Sequence, residues 1–263
     1  MGRSRNLPST SVKELYNSYA DTYEHLYRRN DYDQWVGLYL DLIRRYTAPG
    51  RRLLDIGAGT GLASIRFASA GYDVTAFDIS PEMLRHAAAK PGSENVSFTV
   101  ADVRNLPDLG KFDVAVTLGE PFLYLLDEHE LAAALNGVSG SLSPGGLLVF
   151  DLATEGFLQR LRSKFVIDDE DGSMTFMWGA ESERDPRGAD YLIERFSTDD
   201  GTAWRRSSHR HSYSHFPPDL VDLLLRRADL IPLGVHGLYK GTFMEHADEE
   251  LHRKSFVIAR KPN

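Results

Sequence analysis

The stretch that most constrains this chain is a short apolar run that breaks into three glycines at alternate positions. It reads Leu53-Leu54-Asp55-Ile56-Gly57-Ala58-Gly59-Thr60-Gly61, and apolar side chains at helical spacing follow it. An apolar run that ends in glycine is typical of a buried parallel strand entering a tight turn. Because glycine lacks a Cβ and tolerates positive φ, a ligand can lie directly against the backbone of such a turn. The stretch therefore predicts a strand, a ligand-binding turn and a helix.

Two familiar nucleotide-binding motifs share this kind of turn but do not match it. The dinucleotide motif Gly-x-Gly-x-x-Gly needs a third glycine where Leu62 stands. The phosphate-binding loop needs Gly-Lys followed by Ser or Thr, and the stretch contains no lysine. A purely structural strand–turn–helix unit is the remaining alternative at this point.

Composition limits the classes of protein that this chain can belong to. Its 263 residues are 42% hydrophobic and 26% charged, which suits one soluble α/β domain with an insertion. The net charge of −8 disfavours a nucleic-acid partner, although the local basic pair Arg205-Arg206 exists. The absence of cysteine excludes disulfides, thiolate catalysis and Cys-ligated metals.

The chain carries no sign of a membrane partner. No apolar run approaches 18 residues, and residues 1–6 lack the apolar segment of a signal peptide. We therefore expect a cytoplasmic protein without a membrane anchor.

Acidic side chains follow the predicted strands, which alternate with predicted helices along the chain. Asp78 closes the strand at 72–78, Asp102 follows the strand at 96–100, and Glu120 follows the strand at 112–117. In a parallel sheet the carboxyl ends of the strands meet at one edge, where ligands bind. Asp78 also stands 19 positions after Gly59, about the spacing at which an acid binds ribose hydroxyls.

The chain divides into four predicted regions. These are N-terminal cap helices at 1–50, a ligand-binding core at 51–155, an inserted antiparallel sheet at 156–216, and a last helix with closing strands at 217–263. The inserted sheet is predicted because four β-rich segments are separated by turn residues such as Asp171-Gly172 and Asp200-Gly201.

Four segments in register resemble the motifs of class I S-adenosylmethionine (SAM) methyltransferases, and the likeness covers residues 12–260. They are Asp55–Gly61, Asp78, Ala101-Asp102-Val103, and Leu142–Phe150 with its Pro144-Gly145-Gly146 turn. The resemblance implies a Rossmann-like α/β fold, in which a seven-stranded, mostly parallel sheet has helices on both faces and an inserted antiparallel sheet. It also implies SAM as the cofactor and S-adenosylhomocysteine (SAH) as its product.

The same resemblance implies roles for individual residues. Gly57 and Gly59 would meet the amino-acid part of the cofactor, and the Leu118 carbonyl would accept from its ammonium. Asp78 would bind both ribose hydroxyls, and Asp102 would pair with the adenine amino group. The full predicted cofactor-binding set is Tyr19, Tyr23, Asp55, Gly57, Ala58, Gly59, Asp78, Ile79, Met83, Asp102, Val103 and Leu118.

The tyrosine-rich N-terminal helix narrows the resemblance to small-molecule enzymes. Tyr23-Glu24-His25-Leu26-Tyr27 is similar to a Tyr-x-x-x-Tyr segment of deoxyaminosugar N-methyltransferases, and glycine N-methyltransferase is a more distant relative. By this likeness Tyr27 would face the transferred methyl group. The phenols could instead be ordinary aromatic packing, or could line a pocket for a sulfonium, which aromatic faces attract. Tyr124 stands where the sugar enzymes carry His.

Four side chains are candidates for catalysis near the acceptor: Tyr27, Glu120, Tyr124 and His211. A base matters most for a hydroxyl or a protonated amine. Glu120 follows the cofactor-contacting turn, although an acid at a helix start has the same signature. The segment His209-Arg210-His211-Ser212-Tyr213-Ser214-His215 places alternate side chains on one strand face, as a polar substrate wall would. No metal is predicted, because no carboxylates accompany these histidines at ligand spacing.

The predicted function is methyl transfer from SAM to an amine or hydroxyl of a small molecule, such as a sugar or another natural-product scaffold. Two alternatives stay open: a tRNA or protein methyltransferase, and a non-catalytic SAM or SAH binder. A homodimer through the inserted sheet is suggested by analogy alone.

Overall fold

Two β-sheets organise the chain in a computed structural model, which describes residues 11–27, 30–168, 172–182, 185–198 and 200–263. The strands are β1 (Arg52–Ile56), β2 (Asp73–Asp78), β3 (Val96–Val100), β4 (Phe112–Thr117), β5 (Leu142–Ala153), β6 (Lys164–Asp168), β7 (Met174–Glu181), β8 (Ala189–Ser197), β9 (Arg205–Tyr213), β10 (Ile231–Tyr239), β11 (Thr242–Met244) and β12 (Lys254–Arg260). The helices are α1 (Val12–Tyr27), α2 (Tyr32–Arg45), α3 (Leu62–Ser69), α4 (Pro81–Ala88), α5 (Glu128–Ser141), α6 (Glu155–Leu161) and α7 (Pro218–Arg227).

The larger sheet has the strand order β11-β10-β12-β5-β4-β1-β2-β3. Strands β1 to β5 pair in parallel, whereas β12 runs antiparallel between β5 and β10, as the sequence predicts for the closing strands. The eighth strand, β11, is additional to the seven expected. It folds back on β10 through Lys240-Gly241, and both residues have positive φ, of 48° and 79°. Two consecutive residues with positive φ form a two-residue hairpin turn. The sequence did not predict this turn, because lysine is uncommon at its first position.

Helices cover both faces of this sheet, so each face has its own apolar core. Tyr39, Leu42 and Phe67 from α2 and α3 are buried on one face. Leu135 of α5 and Leu224 of α7 are buried on the other. Two buried faces explain why nearly every residue of β1 and β4 is buried, rather than every second one.

In the region where the sequence predicts N-terminal cap helices, the structure has α1 and α2. The second helix starts where the Asp31 carboxylate accepts from the Gln34 backbone N–H at 2.9 Å. Helix α1 packs against α4 and β9, and so crosses the carboxyl edge of the large sheet. In the described part of the chain, every helix is too short or too polar to cross a bilayer.

The second sheet has four antiparallel strands in the order β6-β7-β8-β9, where the sequence predicts an insertion. The register pairs Ile193 with His209 and Tyr191 with His211. These buried side chains lie on the face of the inserted sheet that packs on α1. The inserted sheet therefore holds α1 in place over the edge of the large sheet.

Candidate active site

A cavity opens at the carboxyl edge of the large sheet, beneath α1. It holds about 790 Å³ of empty space, open solvent at its mouth included. The predicted cofactor residues that line it are Tyr23, Gly57, Gly59, Asp78, Ile79, Asp102, Val103 and Leu118. The turns after β1, β2, β3 and β4 thus meet at one cavity, as the parallel topology requires.

The glycine turn forms the floor of the cavity. Gly57 and Gly59 have φ of 71° and 54°, in the left-handed region that other residues rarely adopt. A Cβ added to Gly57 would lie 2.7 Å from Pro121 Cγ, so no side chain fits there without movement. A Cβ on Gly59 would lie 3.7 Å from the Tyr23 hydroxyl, which shows how closely α1 covers the turn.

The Asp78 carboxylate is held rigidly at the cavity wall. One oxygen accepts from the Gly59 backbone N–H at 2.8 Å, and the other accepts from the Ser80 N–H at 2.9 Å. Burial raises the pKa of Asp78 to about 6, against these hydrogen bonds, which lower it. The carboxylate is therefore oriented in advance and still has lone pairs for a ligand that donates two hydrogen bonds.

The Asp102 carboxylate forms an ion pair with Arg104, a residue that the sequence analysis did not single out. The Arg104 guanidinium donates to both Asp102 oxygens, with Nη2 at 2.7 Å and Nε at 3.0 Å, and it also pairs with Glu130. The hydrogen bond from Arg104 holds the pKa of Asp102 below its usual range. Arg104 itself lines the cavity, two residues after the predicted acid.

Asp55 and Ala58 lie behind the glycine turn rather than on the main cavity wall. The Asp55 carboxylate accepts from the Ser64 hydroxyl at 2.6 Å, which ties β1 to the start of α3. Burial raises the pKa of Asp55 to about 6. Both residues border a separate, smaller recess, which holds about 280 Å³ of empty space, open solvent included.

Tyr19 and Met83 do not reach the cavity, contrary to the sequence-based expectation. Both are almost fully buried, in an apolar cluster with Tyr191 and Ile193 of the inserted sheet. Tyr16, three residues before Tyr19 on α1, lines the cavity instead, together with Val12 and Tyr23. The spacing of positions 12, 16 and 23 places these three side chains on one face of a helix, and this spacing could have identified them in the sequence. The many tyrosines of α1 do not by themselves distinguish that face from its neighbours.

Tyr27 is not at the cavity wall either. Its ring stacks on Tyr23 at 4.4 Å between centroids, with 26° between the planes. Tyr27 therefore supports the ring that does line the cavity.

Tyr124 and His211 form a hydrogen-bonded pair at the cavity wall. Tyr124 lines the cavity, and its hydroxyl lies 2.7 Å from His211 Nδ1 and 3.3 Å from the Tyr213 hydroxyl. His211 is 1% exposed and stacks on Tyr191 at 4.9 Å. Burial, with a smaller effect of His209, lowers the pKa of His211 to about 3. The imidazole is thus neutral at physiological pH and lies behind the phenol.

Glu120 points away from the cavity into a buried ionic cluster. Its carboxylate pairs with Lys254 Nζ at 3.3 Å, and burial raises its pKa. His215 is also displaced from its expected position, because β9 ends at Tyr213 and His215 pairs with Glu249 at 2.9 Å. Of the predicted strand face, His209, His211 and Tyr213 remain on β9.

This chain is similar to known methyltransferases. Residues 53–146 match a family described as a methyltransferase domain. A putative methyltransferase of Geobacillus sp. (strain WCH70) is 25% identical over 94% of this chain and 99% of that protein. The dTDP-3-amino-3,4,6-trideoxy-alpha-D-glucopyranose N,N-dimethyltransferase of Streptomyces venezuelae is 30% identical over 51% of this chain and 56% of its own length.

Solved structures show the same fold over nearly the whole chain. A SAM-dependent methyltransferase from Clostridium acetobutylicum ATCC 824 has a TM-score of 0.78 at 21% identity, covering 94% of this chain and 99% of that one. The sugar N-methyltransferase KedS8 from Streptoalloteichus sp ATCC 53650 has a TM-score of 0.74 at 20% identity, covering 100% and 99%. The inserted sheet and the N-terminal helices therefore belong to the common architecture.

Proposed function

We propose that this chain, a class I SAM-dependent methyltransferase, methylates an amine of a small molecule. The observation that carries the proposal is the character of the cavity wall beside Gly57 and Gly59. The phenols Tyr16, Tyr23 and Tyr124 line that part of the wall. The carboxylates that also line the cavity, Asp78 and Asp102, are hydrogen-bonded by backbone N–H groups and by Arg104, so we assign them to the cofactor rather than to proton removal. The amino-sugar acceptor in the name of the Streptomyces venezuelae relative supports the same substrate class.

The cofactor residues fit SAM along the length of the cavity. We place the methionyl part against Gly57, Gly59 and the Leu118 carbonyl, where the backbone is bare. The Asp78 carboxylate then accepts from both ribose hydroxyls, because its oxygens are already oriented by Gly59 and Ser80.

The adenine end of the cavity is the wall formed by the segments after β2 and β3. Ile79 and Val103 supply apolar contact to the ring, and Asp102 accepts from the adenine amino group while Arg104 holds the carboxylate in place. Asp55 and Ala58 support the turn from behind. Tyr19 and Met83 support α1 and α4 and are not proposed as contacts.

The phenols position the acceptor and exclude water rather than remove a proton. Bound in this cavity, SAM supplies a methyl group on a positively charged sulfur. Burial raises the pKa of each of Tyr16, Tyr23 and Tyr124, so these side chains stay neutral. A neutral amine is nucleophilic without an enzyme base, whereas a hydroxyl needs one. Positioning alone supplies roughly 7–11 kcal/mol of a barrier in well-oriented reactions.

Paired acceptors test the proposal. Purified protein is incubated with methyl-labelled SAM and with nucleotide sugars that differ only in carrying an amine or a hydroxyl at one position. We expect label on the amine member of at least one pair. Transfer to hydroxyl members only, or to tRNA or protein in a nuclease- or protease-sensitive form, would contradict it. Tight SAM binding without transfer to any acceptor would favour the non-catalytic binder.

A further inference from the structure

A buried ionic cluster lies directly behind the wall that follows β4. Lys254 Nζ is 2.6 Å from Asp151 Oδ2 and 3.3 Å from Glu120 Oε1, and each of the three side chains is at most 9% exposed. The ammonium also lies 4.9 Å from the centre of the Trp35 ring. With two carboxylates facing one ammonium, the cluster has a net charge of about −1 when all three groups are ionised.

The cluster is joined to the cavity through the backbone of one turn. The Asp151 carboxylate accepts from the backbone N–H groups of Gly119 at 3.2 Å and Glu120 at 3.0 Å. Leu118 and Gly119 line the cavity, and Pro121 packs on Gly57. The carboxylates therefore lie one layer behind the surface where we place the methionyl part of SAM.

Glu120 occupies a backbone conformation that is unfavourable for its residue type. Its φ is 66°, in the left-handed region, although glycine would adopt this conformation without strain. Strain of this kind is often found at functional sites. Glu120 Oε1 lies 3.3 Å from Lys254 Nζ but accepts no well-oriented hydrogen bond from the described residues. The combination of backbone strain, burial and an incompletely hydrogen-bonded oxygen indicates a functional role for the Glu120 carboxylate.

We infer that this cluster makes the cavity prefer the charged cofactor to its neutral product. The inference rests on the proposed placement of the methionyl part against Leu118 and Gly119. SAM carries a positive sulfur and SAH a neutral one, so a net negative charge behind the wall stabilises SAM selectively. Glu120 supplies the charge that is not neutralised by Lys254, while Lys254 and Asp151 are positioning residues that hold the turn. The nearby Arg253 is exposed and stacks on Phe157 at 4.5 Å, where water screens its charge.

Calorimetry with SAM and SAH on the full-length protein tests this inference through the ratio of the two dissociation constants. Glu120→Gln leaves one carboxylate and one ammonium, so the net charge becomes zero. We expect this variant to lower the preference for SAM over SAH about three- to tenfold relative to wild type. The control is Asp113→Asn, which removes a buried, Arg52-paired carboxylate from the opposite end of β4 and should leave the ratio unchanged.

A second variant separates electrostatics from simple damage to the turn. Lys254→Met leaves two facing carboxylates, so the cluster stays negative even if one takes up a proton. The SAM preference must then stay the same or rise, although both affinities can weaken. Equal weakening of SAM and SAH in Glu120→Gln, or a lower preference in Lys254→Met, would overturn the inference. Failure of the wild type to bind either compound would instead overturn the proposed function.

Discussion

At the scale of single residues, we expect cofactor binding to depend most on Asp78. Asp78→Asn replaces one acceptor oxygen by an NH₂ group that faces a backbone donor, Gly59 N–H or Ser80 N–H. Hydrogen bonds to a charged group contribute about 1.5–3 kcal/mol each, so we expect SAM to bind at least tenfold more weakly. Calorimetry checks this against Asp73→Asn, an exposed aspartate at the other end of β2. Equal affinities in the two variants would contradict the assigned role.

The raised pKa of Asp78 predicts a pH dependence of cofactor affinity. Because its pKa in the unliganded protein is about 6, the carboxylate takes up a proton as the pH falls below that value. SAM needs the ionised form, so its affinity should fall below pH 6, approaching about tenfold per pH unit. Asp55 titrates in the same range, so Asp55→Asn should retain the dependence. His211, with a pKa of about 3, does not titrate in a series from pH 5 to 7.

Tyr124 is the residue at which acceptor chemistry can be separated from cofactor binding. Tyr124→Phe removes the hydroxyl between His211 and Tyr213 but keeps the ring at the cavity wall. We expect kcat/KM for the amine to fall roughly tenfold while SAM affinity stays within about twofold. The matched control is Tyr239→Phe, since Tyr239 is 54% exposed. A loss of SAM affinity as large as the loss of kcat/KM would point to a structural defect instead.

At the scale of elements, the turn between β1 and α3 is intolerant of side chains. Gly57→Ala combines a positive φ with a Cβ placed 2.7 Å from Pro121, so we expect about 1–3 kcal/mol of destabilisation and weaker SAM binding. Gly110→Ala is the matched control, because Gly110 has φ of 100° and no atom within 4 Å of the added Cβ. Chemical denaturation gives the free energy of unfolding of both variants. The loss in Gly110→Ala reports backbone strain alone, and the additional loss in Gly57→Ala reports the contact with Pro121. Equal losses in the two variants would contradict a contribution from that contact.

Helix α1 shows that the spacing of tyrosines in a sequence does not establish which of them line a cavity. Its tyrosines predict an aromatic face near the cofactor, and Tyr16 and Tyr23 do line the cavity. Tyr19 lies on the side that packs on His211 at 4.7 Å between ring centroids. Helical spacing gives the relative directions of side chains, but the rotation of the helix about its axis is set by the partners it packs against.

At the scale of the whole molecule, the cavity lies between the large sheet and α1, and the inserted sheet packs behind α1. A ligand that binds only the folded state stabilises it by about 2.7 kcal/mol at a hundred times its dissociation constant. We expect SAM at that excess to raise the Tm by about 5–10 °C in a thermal melt. NAD is the control and should produce no shift, since Leu62 replaces the third glycine of its motif. A shift with NAD as large as that with SAM would contradict the cofactor assignment.

Homodimerisation and the cytoplasmic location stay predictions of the sequence. So does the division at residues 50, 155 and 216, although the inserted strands β6 to β9 fall within the third predicted region. The amine acceptor is proposed from the wall of the cavity rather than from these broader features.

The sequence by itself determined the edge of the sheet at which the site lies. Gly57, Asp78 and Asp102 follow successive parallel strands, and the carboxyl ends of such strands must meet. These features are local, so a strand, a turn and an acid at a fixed spacing are enough to predict them.

Only the tertiary structure decided which side chains stand behind that edge. Tyr124 meets His211 across 87 positions, and Asp151 meets Lys254 across 103, through the antiparallel register of β5 and β12. Contacts between distant segments depend on strand register and on the orientation of packed elements. No local pattern contains that information, because it arises when the two cores and the inserted sheet pack together.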